Sequence, residues 1–98
     1  MSAYVINDMV VTDPDLFEEY KKLSPPTVAL YGGRFLVRGG ALDLCEGERL
    51  PQRLVILEFP SAAQARAWID SPEYAPARAV RQRASRSNVV IVEGVAPV

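Results

Sequence analysis

The chain has 98 residues, of which 49% are hydrophobic and 23% are charged, and its formal net charge is −1. These values predict one globular domain over residues 1–98, and the near-zero charge argues against a nucleic-acid partner or an anionic membrane partner. No apolar run approaches the roughly 20 residues that a membrane-spanning helix requires, and the first residues do not resemble a secretory signal. The single cysteine, Cys45, fits a reducing compartment, so we expect a cytoplasmic protein.

The sequence contains no histidine. This absence excludes a histidine general base, a histidine-activated nucleophile, and histidine ligands for zinc or haem. One cysteine is also too few for a thiolate cluster, so we expect no metal site. Any chemistry would have to come from carboxylates, tyrosines, arginines or a bound cofactor.

The first third of the chain predicts a strand followed by a helix. Residues 3–11 (AYVINDMVV) are rich in β-forming side chains. The Asp-Pro pair at 13–14 supplies an N-cap and a proline suited to the first helical position. Prolines 25–26 lack the backbone donor that a helix interior needs. We therefore expect a break or kink there, a second helical piece over 27–31, and Gly32 as its C-terminal cap.

The middle of the chain predicts a long hairpin. Residues 34–38 (RFLVR) are the expected second strand, and the glycines at 39–40 permit a bulge or a sharp bend. Residues 41–45 are expected to extend this strand as far as a turn at 46–48 (EGE). Residues 53–59 (RLVILEF) then form the third strand.

The last third predicts two helical segments and a final strand. Ser61 and Gln64 have the spacing of a capping box, which starts a helix that runs to about Asp70. Pro76 lies too deep for an unbroken helix from residue 72. The remaining expected elements are a turn over residues 72–75, a helix over 76–85 and a strand over 88–95.

The order β-α-β-β-α-β predicts a ferredoxin-like α+β plait, with a four-stranded antiparallel sheet and both helices on one face. The strands are apolar on both faces, as in the run Leu54-Val-Ile-Leu57. A sheet with one face in water should alternate apolar and polar residues. We therefore expect a homodimer that packs two sheets face to face. The alternative is a monomer in which the hairpin over residues 41–52 covers the sheet.

Several stretches of this chain closely resemble the domain-of-unknown-function family 1330, and the resemblance covers Tyr4 to about Val95. It implies a member of the dimeric α+β-barrel superfamily and implies little about activity. The residues that carry it are 31–40 (YGGRFLVRGG), 57–61 (LEFPS), 67–74 (AWIDSPEY), the prolines 25–26, and the pair Arg78 and Arg81.

Wider relatives in that superfamily include haem-degrading and quinone-forming monooxygenases, muconolactone-type isomerases and dye-decolorising peroxidases. The haem-degrading type uses an asparagine on the first strand and a tryptophan on the second helix, and Asn7 and Trp68 are similar to these. It also uses a proximal histidine. This sequence has no histidine, and the basic residue nearest to the corresponding position is Arg78. The resemblance therefore implies no haem, and we expect no cofactor; a cofactor-independent monooxygenase needs none.

Three charged residues on the predicted strands are candidates for chemistry. Arg38 and Glu58 would lie on neighbouring strands. They could form an ion pair at the mouth of a pocket, where Arg38 would anchor a carboxylate or enolate ligand. They could equally form an ordinary cross-strand ion pair. Asp8 and Glu58 are the candidate general bases; Asp8 could equally be a strand-end carboxylate bonded to backbone. Alternation places Phe35 and Val37 on one side of the sheet and Arg38 on the other.

Aromatic and basic side chains supply the remaining ligand-binding candidates. Arg78 and Arg81 lie three residues apart on one helix face, where they would form an anion site or a solvated surface. Four aromatic residues would line a cavity between helices and sheet or simply fill the core: Tyr20, Tyr31, Trp68 and Tyr74.

These observations predict a protein that binds or transforms a small aromatic or carboxylate metabolite in a pocket between sheet and helices. One alternative is a non-catalytic accessory dimer with a ligand-binding or structural role. Another is a cofactor-independent monooxygenase or isomerase.

Overall fold

The structure is a computed structural model that describes residues 1–96. Four strands form one antiparallel sheet and three helices pack on one of its faces, which confirms the ferredoxin-like fold. No helix in this part of the chain is long and apolar enough to cross a membrane. The elements are β1 (Ala3–Val11), α1 (Pro14–Leu30), β2 (Arg34–Arg38), β3 (Arg53–Phe59), α2 (Ala62–Ile69), α3 (Ala75–Ala84) and β4 (Ser85–Glu93).

The strands lie in the order β2-β3-β1-β4, so the first strand of the chain occupies the centre of the sheet with β3. Because side chains alternate along a strand, every second residue of β1 points at the helices. These residues are buried, and we call their side of the sheet the inner face. At its middle, Asn7 pairs with Val55 on β3 and with Val89 on β4.

Helix α1 continues through both prolines to Leu30, so the predicted break at 25–26 is wrong. A proline at position 25 deprives the carbonyl of Lys21 of its usual helical donor. In the structure the guanidinium of Arg38 donates to that carbonyl at 2.6 Å. The expected cap at Gly32 is confirmed: its φ of 77° allows the chain to turn away from the helix.

Strand β2 contains a bulge and ends at Arg38, and each of these features overturns one prediction. The register shifts between Phe35 and Val37, so that Phe35 pairs with Leu57 whereas Arg38 pairs with Val55. Leu57 and Val55 both belong to the inner face, so Phe35 and Arg38 share a face, contrary to simple alternation. The predicted extension of this strand over residues 41–45 is also wrong, because residues 39–52 form a loop outside the sheet.

The last third of the chain follows the prediction with shifted ends. The Ser61 side chain caps α2 by accepting from the backbone N–H of Gln64, whereas the Gln64 side chain donates to the Tyr31 carbonyl instead of closing the box. Helix α3 starts one residue earlier than expected. Strand β4 starts at Ser85 rather than residue 88, because its pairing with β1 extends to Val11.

The two faces of the sheet have different surroundings. The inner face and the helices enclose the core, whose largest fully buried side chains include Trp68, Tyr74 and Phe59. On the opposite side, the outer face, Val90 and Val92 remain 45% and 44% exposed. The loop over residues 39–52 leaves these two valines uncovered, and its end borders the outer face only beside Asp8 and Val10.

Candidate functional site

A cavity lies between the inner face and the helices, and all four strands contribute to its lining. Its floor is one row of paired residues across the sheet: Arg38, Val55, Asn7 and Val89. The free volume is about 20 Å³, which holds about one water molecule. A larger ligand would therefore need side chains at the mouth to move.

Aromatic rings of the core form part of the cavity wall. The ring centroids of Trp68 and Tyr74 lie 4.1 Å apart, and those of Tyr20 and Tyr74 lie 6.4 Å apart. Trp68 donates from its indole nitrogen to the Thr27 hydroxyl at 3.0 Å. All three rings are part of the core and also line the cavity.

Arg81 lies at the inner end of the cavity and is only 5% exposed. Its Nε donates to the Tyr74 hydroxyl at 3.2 Å, and that hydroxyl lies 2.7 Å from the hydroxyl of Tyr20. Burial, followed by the proximity of Tyr74, raises the pKa of Tyr20 far above its ordinary value. Tyr20 is therefore a protonated phenol at neutral pH and serves as a hydrogen-bonding group rather than a base.

The Arg81 cation has no carboxylate partner within residues 1–96, where the ion pairs are Lys21–Glu18, Arg34–Glu58 and Arg66–Asp70. Buried charges in proteins are generally paired, because the transfer of an unpaired charge out of water is unfavourable. A buried guanidinium that faces a cavity is therefore suited to an anionic partner.

Asn7 places an amide group in the floor of the same cavity. The residue is 7% exposed, and its Oδ1 has no hydrogen-bond partner among the described residues. Most buried polar atoms in folded proteins are hydrogen-bonded, so an unpartnered one at a cavity wall suggests a ligand contact. Rotation of the amide would present a donor instead of an acceptor at this position.

Three basic residues surround the mouth of the cavity: Lys21, Arg38 and Arg53. The Arg38 guanidinium lies 4.6 Å from the ring centroid of Phe35, and that of Arg53 lies 5.2 Å from the ring centroid of Phe17. Gly39 makes room for this arrangement, because a Cβ at that position would collide with the guanidinium of Arg53. Its φ of 71° also favours glycine.

The cavity as a whole has a strongly positive lining. Four basic side chains contribute to it, and none of the described residues around it is an aspartate or glutamate. The protein carries a net charge of −1, so this is a local concentration of positive charge. Such a concave, partly desolvated surface favours anions.

The two candidate bases lie on the outer face, away from this cavity. Glu58 accepts from Arg34 Nε at 2.7 Å, so the predicted pair of Arg38 with Glu58 is wrong. The hydrogen bond from Arg34 holds the pKa of Glu58 below its ordinary value, which makes this carboxylate a weaker base. Asp8 borders a surface depression beside the end of the 39–52 loop.

Two other predicted ligand-binding residues also lie outside the cavity. Arg78 donates to the Ile69 carbonyl, and the Tyr31 hydroxyl donates to Glu73 Oε1 at 2.7 Å. This hydrogen bond raises the pKa of Tyr31 and lowers that of Glu73. No three cysteine or carboxylate side chains within residues 1–96 are grouped closely enough to hold a metal ion.

The structure therefore brings six of the predicted residues together, and it adds some that the sequence reasoning missed. Arg53 is the most important addition. It alternates in step with Val55 and Leu57, the buried positions of β3. An arginine at a position where alternation predicts burial is unusual, and this is the signal in the sequence that indicates its role. The six are Asn7, Tyr20, Arg38, Trp68, Tyr74 and Arg81.

The family model of the domain of unknown function DUF1330 matches residues 2–95. The chain belongs to this family. No curated protein sequence matches it. This DUF1330 protein shares its ferredoxin-like α+β fold with solved structures.

Three of those structures illustrate the similarity. RPA0582 from Rhodopseudomonas palustris, a protein of unknown function, is 22% identical with a TM-score of 0.74, and the match covers 98% of this chain and 84% of that one. SnoaB from Streptomyces nogalater, a cofactor-independent oxygenase, is 15% identical with a TM-score of 0.65, over 99% and 96% of the chains. Rv0793 from Mycobacterium tuberculosis is 15% identical with a TM-score of 0.57, over 99% and 98%. At these identities the likeness concerns the fold alone.

Proposed function

We propose that this protein binds a small aromatic anion, a carboxylate or an enolate, in the cavity between sheet and helices. The observation that carries this proposal is Arg81, a residue that is 5% exposed, lines the cavity and forms no ion pair with a carboxylate of residues 1–96. An anion would compensate this charge in an environment where electrostatic attraction is weakly screened.

The rest of the lining favours a planar, mostly apolar ligand body. Trp68, Tyr74 and Phe35 present ring surfaces, and Val55 and Leu57 form an apolar floor. Pockets for small molecules typically combine such a lining with a few convergent polar groups. Because the free volume is about 20 Å³, side chains that line the cavity must move when a ring enters.

Oxygenation without a cofactor is the second candidate function. Asn7 and Trp68, which resemble residues of the monooxygenases in this superfamily, face the same cavity, and SnoaB is a cofactor-independent oxygenase of the same fold. Arg81 would stabilise the anion of such a substrate. With no carboxylate in the described lining and with Tyr20 held protonated, the substrate would have to lose its proton without a carboxylate base. Binding without turnover therefore has the stronger support.

The single tryptophan of the chain gives a direct test, because Trp68 fluorescence reports on the cavity. Benzoate and its neutral isostere benzamide are titrated into the wild type, Arg81→Gln and Arg83→Gln. We expect benzoate to bind more tightly than benzamide, and this preference to fall about tenfold or more in Arg81→Gln. Arg83, exposed on the same helix, is the matched control and should behave as wild type. Equal affinities for benzoate and benzamide would contradict the proposal. So would an Arg81→Gln variant that keeps the wild-type preference for benzoate.

Oxygenase activity is tested separately by oxygen consumption with an enolisable aromatic ketone, 2-tetralone. The second candidate requires consumption above the buffer rate that falls in Asn7→Ala. A rate equal to buffer for the wild type, with benzoate bound normally, leaves binding as the function.

We also propose that a second copy of the chain covers the outer face. Val90 and Val92 together with the half-buried Ile6 and Ile56 give this face an apolar patch, and removing such a patch from water favours association. The fold shared with dimeric α+β-barrel proteins supports the same arrangement.

A further inference from the structure

We infer that the ligand of this cavity has two polar ends, with an anionic group at the mouth between Arg38 and Arg53 and a hydroxyl group at Asn7. The ligand class is a hydroxyaromatic carboxylate. This inference rests on the proposed function and extends it. A ligand without a hydroxyl group, such as benzoate, places its carboxylate at Arg81, whereas a ligand that also carries a hydroxyl group places that hydroxyl beside Asn7 and Arg81 and its carboxylate at the mouth.

Arg38 and Arg53 are neighbours across β2 and β3. Arg38 pairs with Val55, and Arg53 lies two residues before Val55 on the same strand, so both project from the inner face at diagonal positions. The guanidinium of Arg53 also lies against the backbone of Gly39, the residue that follows Arg38. The two guanidinium groups therefore lie on the same side of the cavity mouth.

Neither arginine forms an ion pair with a carboxylate of residues 1–96. The Nε of Arg53 is buried and has no hydrogen-bond partner among the described residues, and Arg38 uses one donor on the Lys21 carbonyl. Two like charges at diagonal positions repel each other. A carboxylate between them would remove that repulsion and could accept two hydrogen bonds from a guanidinium.

The second polar end follows from the row that forms the cavity floor. Arg38, Val55 and Asn7 are aligned on three successive strands, so the backbones of Arg38 and Asn7 are about 10 Å apart, two strand spacings. One aromatic ring with substituents at opposite ends bridges such a separation. The unpartnered Oδ1 of Asn7 would accept a hydrogen bond from the hydroxyl group at the far end.

A buried polar group of this kind discriminates strongly between ligands, because a ligand that lacks the matching group leaves it unpaired. The probes are therefore 4-hydroxybenzoate, benzoate, which lacks the hydroxyl, and phenol, which lacks the carboxylate. Binding is measured by Trp68 fluorescence and by ligand-observed NMR. We expect 4-hydroxybenzoate to bind the wild type about tenfold more tightly than either of the others.

Variants separate the two ends. Arg53→Gln should reduce the ratio of the affinity for 4-hydroxybenzoate to that for phenol and leave its ratio to the affinity for benzoate unchanged. Asn7→Leu should reduce the ratio to benzoate and leave the ratio to phenol unchanged. Arg38→Gln provides a second variant at the mouth if Arg53→Gln does not fold. Arg49→Gln, in the exposed loop, is the control and should leave all three affinities unchanged.

The outcomes distinguish this inference from the proposed function. Suppose that benzoate binding depends on Arg81, but that Arg53→Gln and Arg38→Gln keep the full preference for 4-hydroxybenzoate over phenol. The inference of a ligand with two polar ends is then wrong, whereas the proposed anion binding at Arg81 is supported. Equal affinities of 4-hydroxybenzoate and benzoate also overturn it. If none of the three probes binds, the proposed function is overturned and this inference falls with it.

Discussion

The guanidinium of Arg38 donates a 2.6 Å hydrogen bond to the main-chain carbonyl of Lys21, 17 residues away in the sequence. Pro25 cannot donate to this carbonyl, so an arginine of the edge strand replaces the missing helical donor. The contact ties β2 to α1 at the cavity mouth.

The contact predicts an energetic coupling between Arg38 and Pro25. Pro25→Ala should stabilise the protein by about 1–2 kcal/mol, since alanine restores the helical donor and the gain is partly offset by a less restricted unfolded chain. Arg38→Gln should destabilise the wild type by about 1 kcal/mol and the Pro25→Ala variant by much less. Urea unfolding of the four proteins measures the coupling.

Pro14→Ala is the control for this cycle, because a proline at the start of the helix displaces no hydrogen bond. Its effect should be independent of Arg38. Additive effects of Pro25→Ala and Arg38→Gln would show that the carbonyl of Lys21 does not depend on the arginine.

Gly39 should tolerate substitution less well than Gly47. Both have positive φ, 71° and 89°, so an alanine at either position is strained by about 1–2 kcal/mol. Only at Gly39 would the new Cβ collide with a side chain, that of Arg53, because nothing lies within 4 Å at Gly47. We expect Gly39→Ala to lower the free energy of unfolding more than Gly47→Ala and to weaken benzoate binding. Equal effects would mean that Arg53 moves aside freely.

The ion pair of Glu58 with Arg34 predicts a pH dependence of stability. The folded-state pKa of Glu58 lies below its ordinary value of 4.5. The contribution is therefore present above about pH 4.5 and is lost as the pH falls through the folded-state pKa. We expect the melting temperature to fall less between pH 7 and pH 3 for Glu58→Gln than for the wild type, as measured by thermal unfolding. Glu48→Gln in the exposed loop is the control, and an unchanged acid limb in Glu58→Gln would contradict the prediction.

The outer face provides the test of the dimer. Val90→Glu places a charge within the proposed interface and should produce a folded monomer, measured by size-exclusion chromatography with light scattering and by circular dichroism. Leu30→Glu is the matched control, because Leu30 is 65% exposed at the end of α1, away from this face. A wild type that is monomeric at micromolar concentration, or a Val90→Glu variant that remains dimeric, would refute the interface.

Much of the fold could be predicted because its signals are local. The Asp13 cap, the Gly32 terminus and the strands over residues 3–11 and 53–59 depend on neighbouring residues, and the structure confirms them. The apolar character of both faces of β3 was equally visible. For the site, Arg81 was a candidate because it lies three residues from Arg78 on one helix face, and Trp68 because of its aromatic side chain and the family resemblance.

The sequence by itself determined the order of the elements and the apolar side chains of the outer face. Helix caps, turns and the alternation of side chains along a strand depend on residues that are close together in the chain. Only the tertiary structure decided which charged residues share the cavity. The bulge at Leu36, defined by pairing with β3, turns Arg38 to the inner face, and the central position of β1 brings Asn7 into the cavity that Arg81 also lines. Asp8 and Glu58 were excluded from the cavity in the same way. Strand pairing and helix packing join residues that are distant in sequence, so no local pattern contains that information.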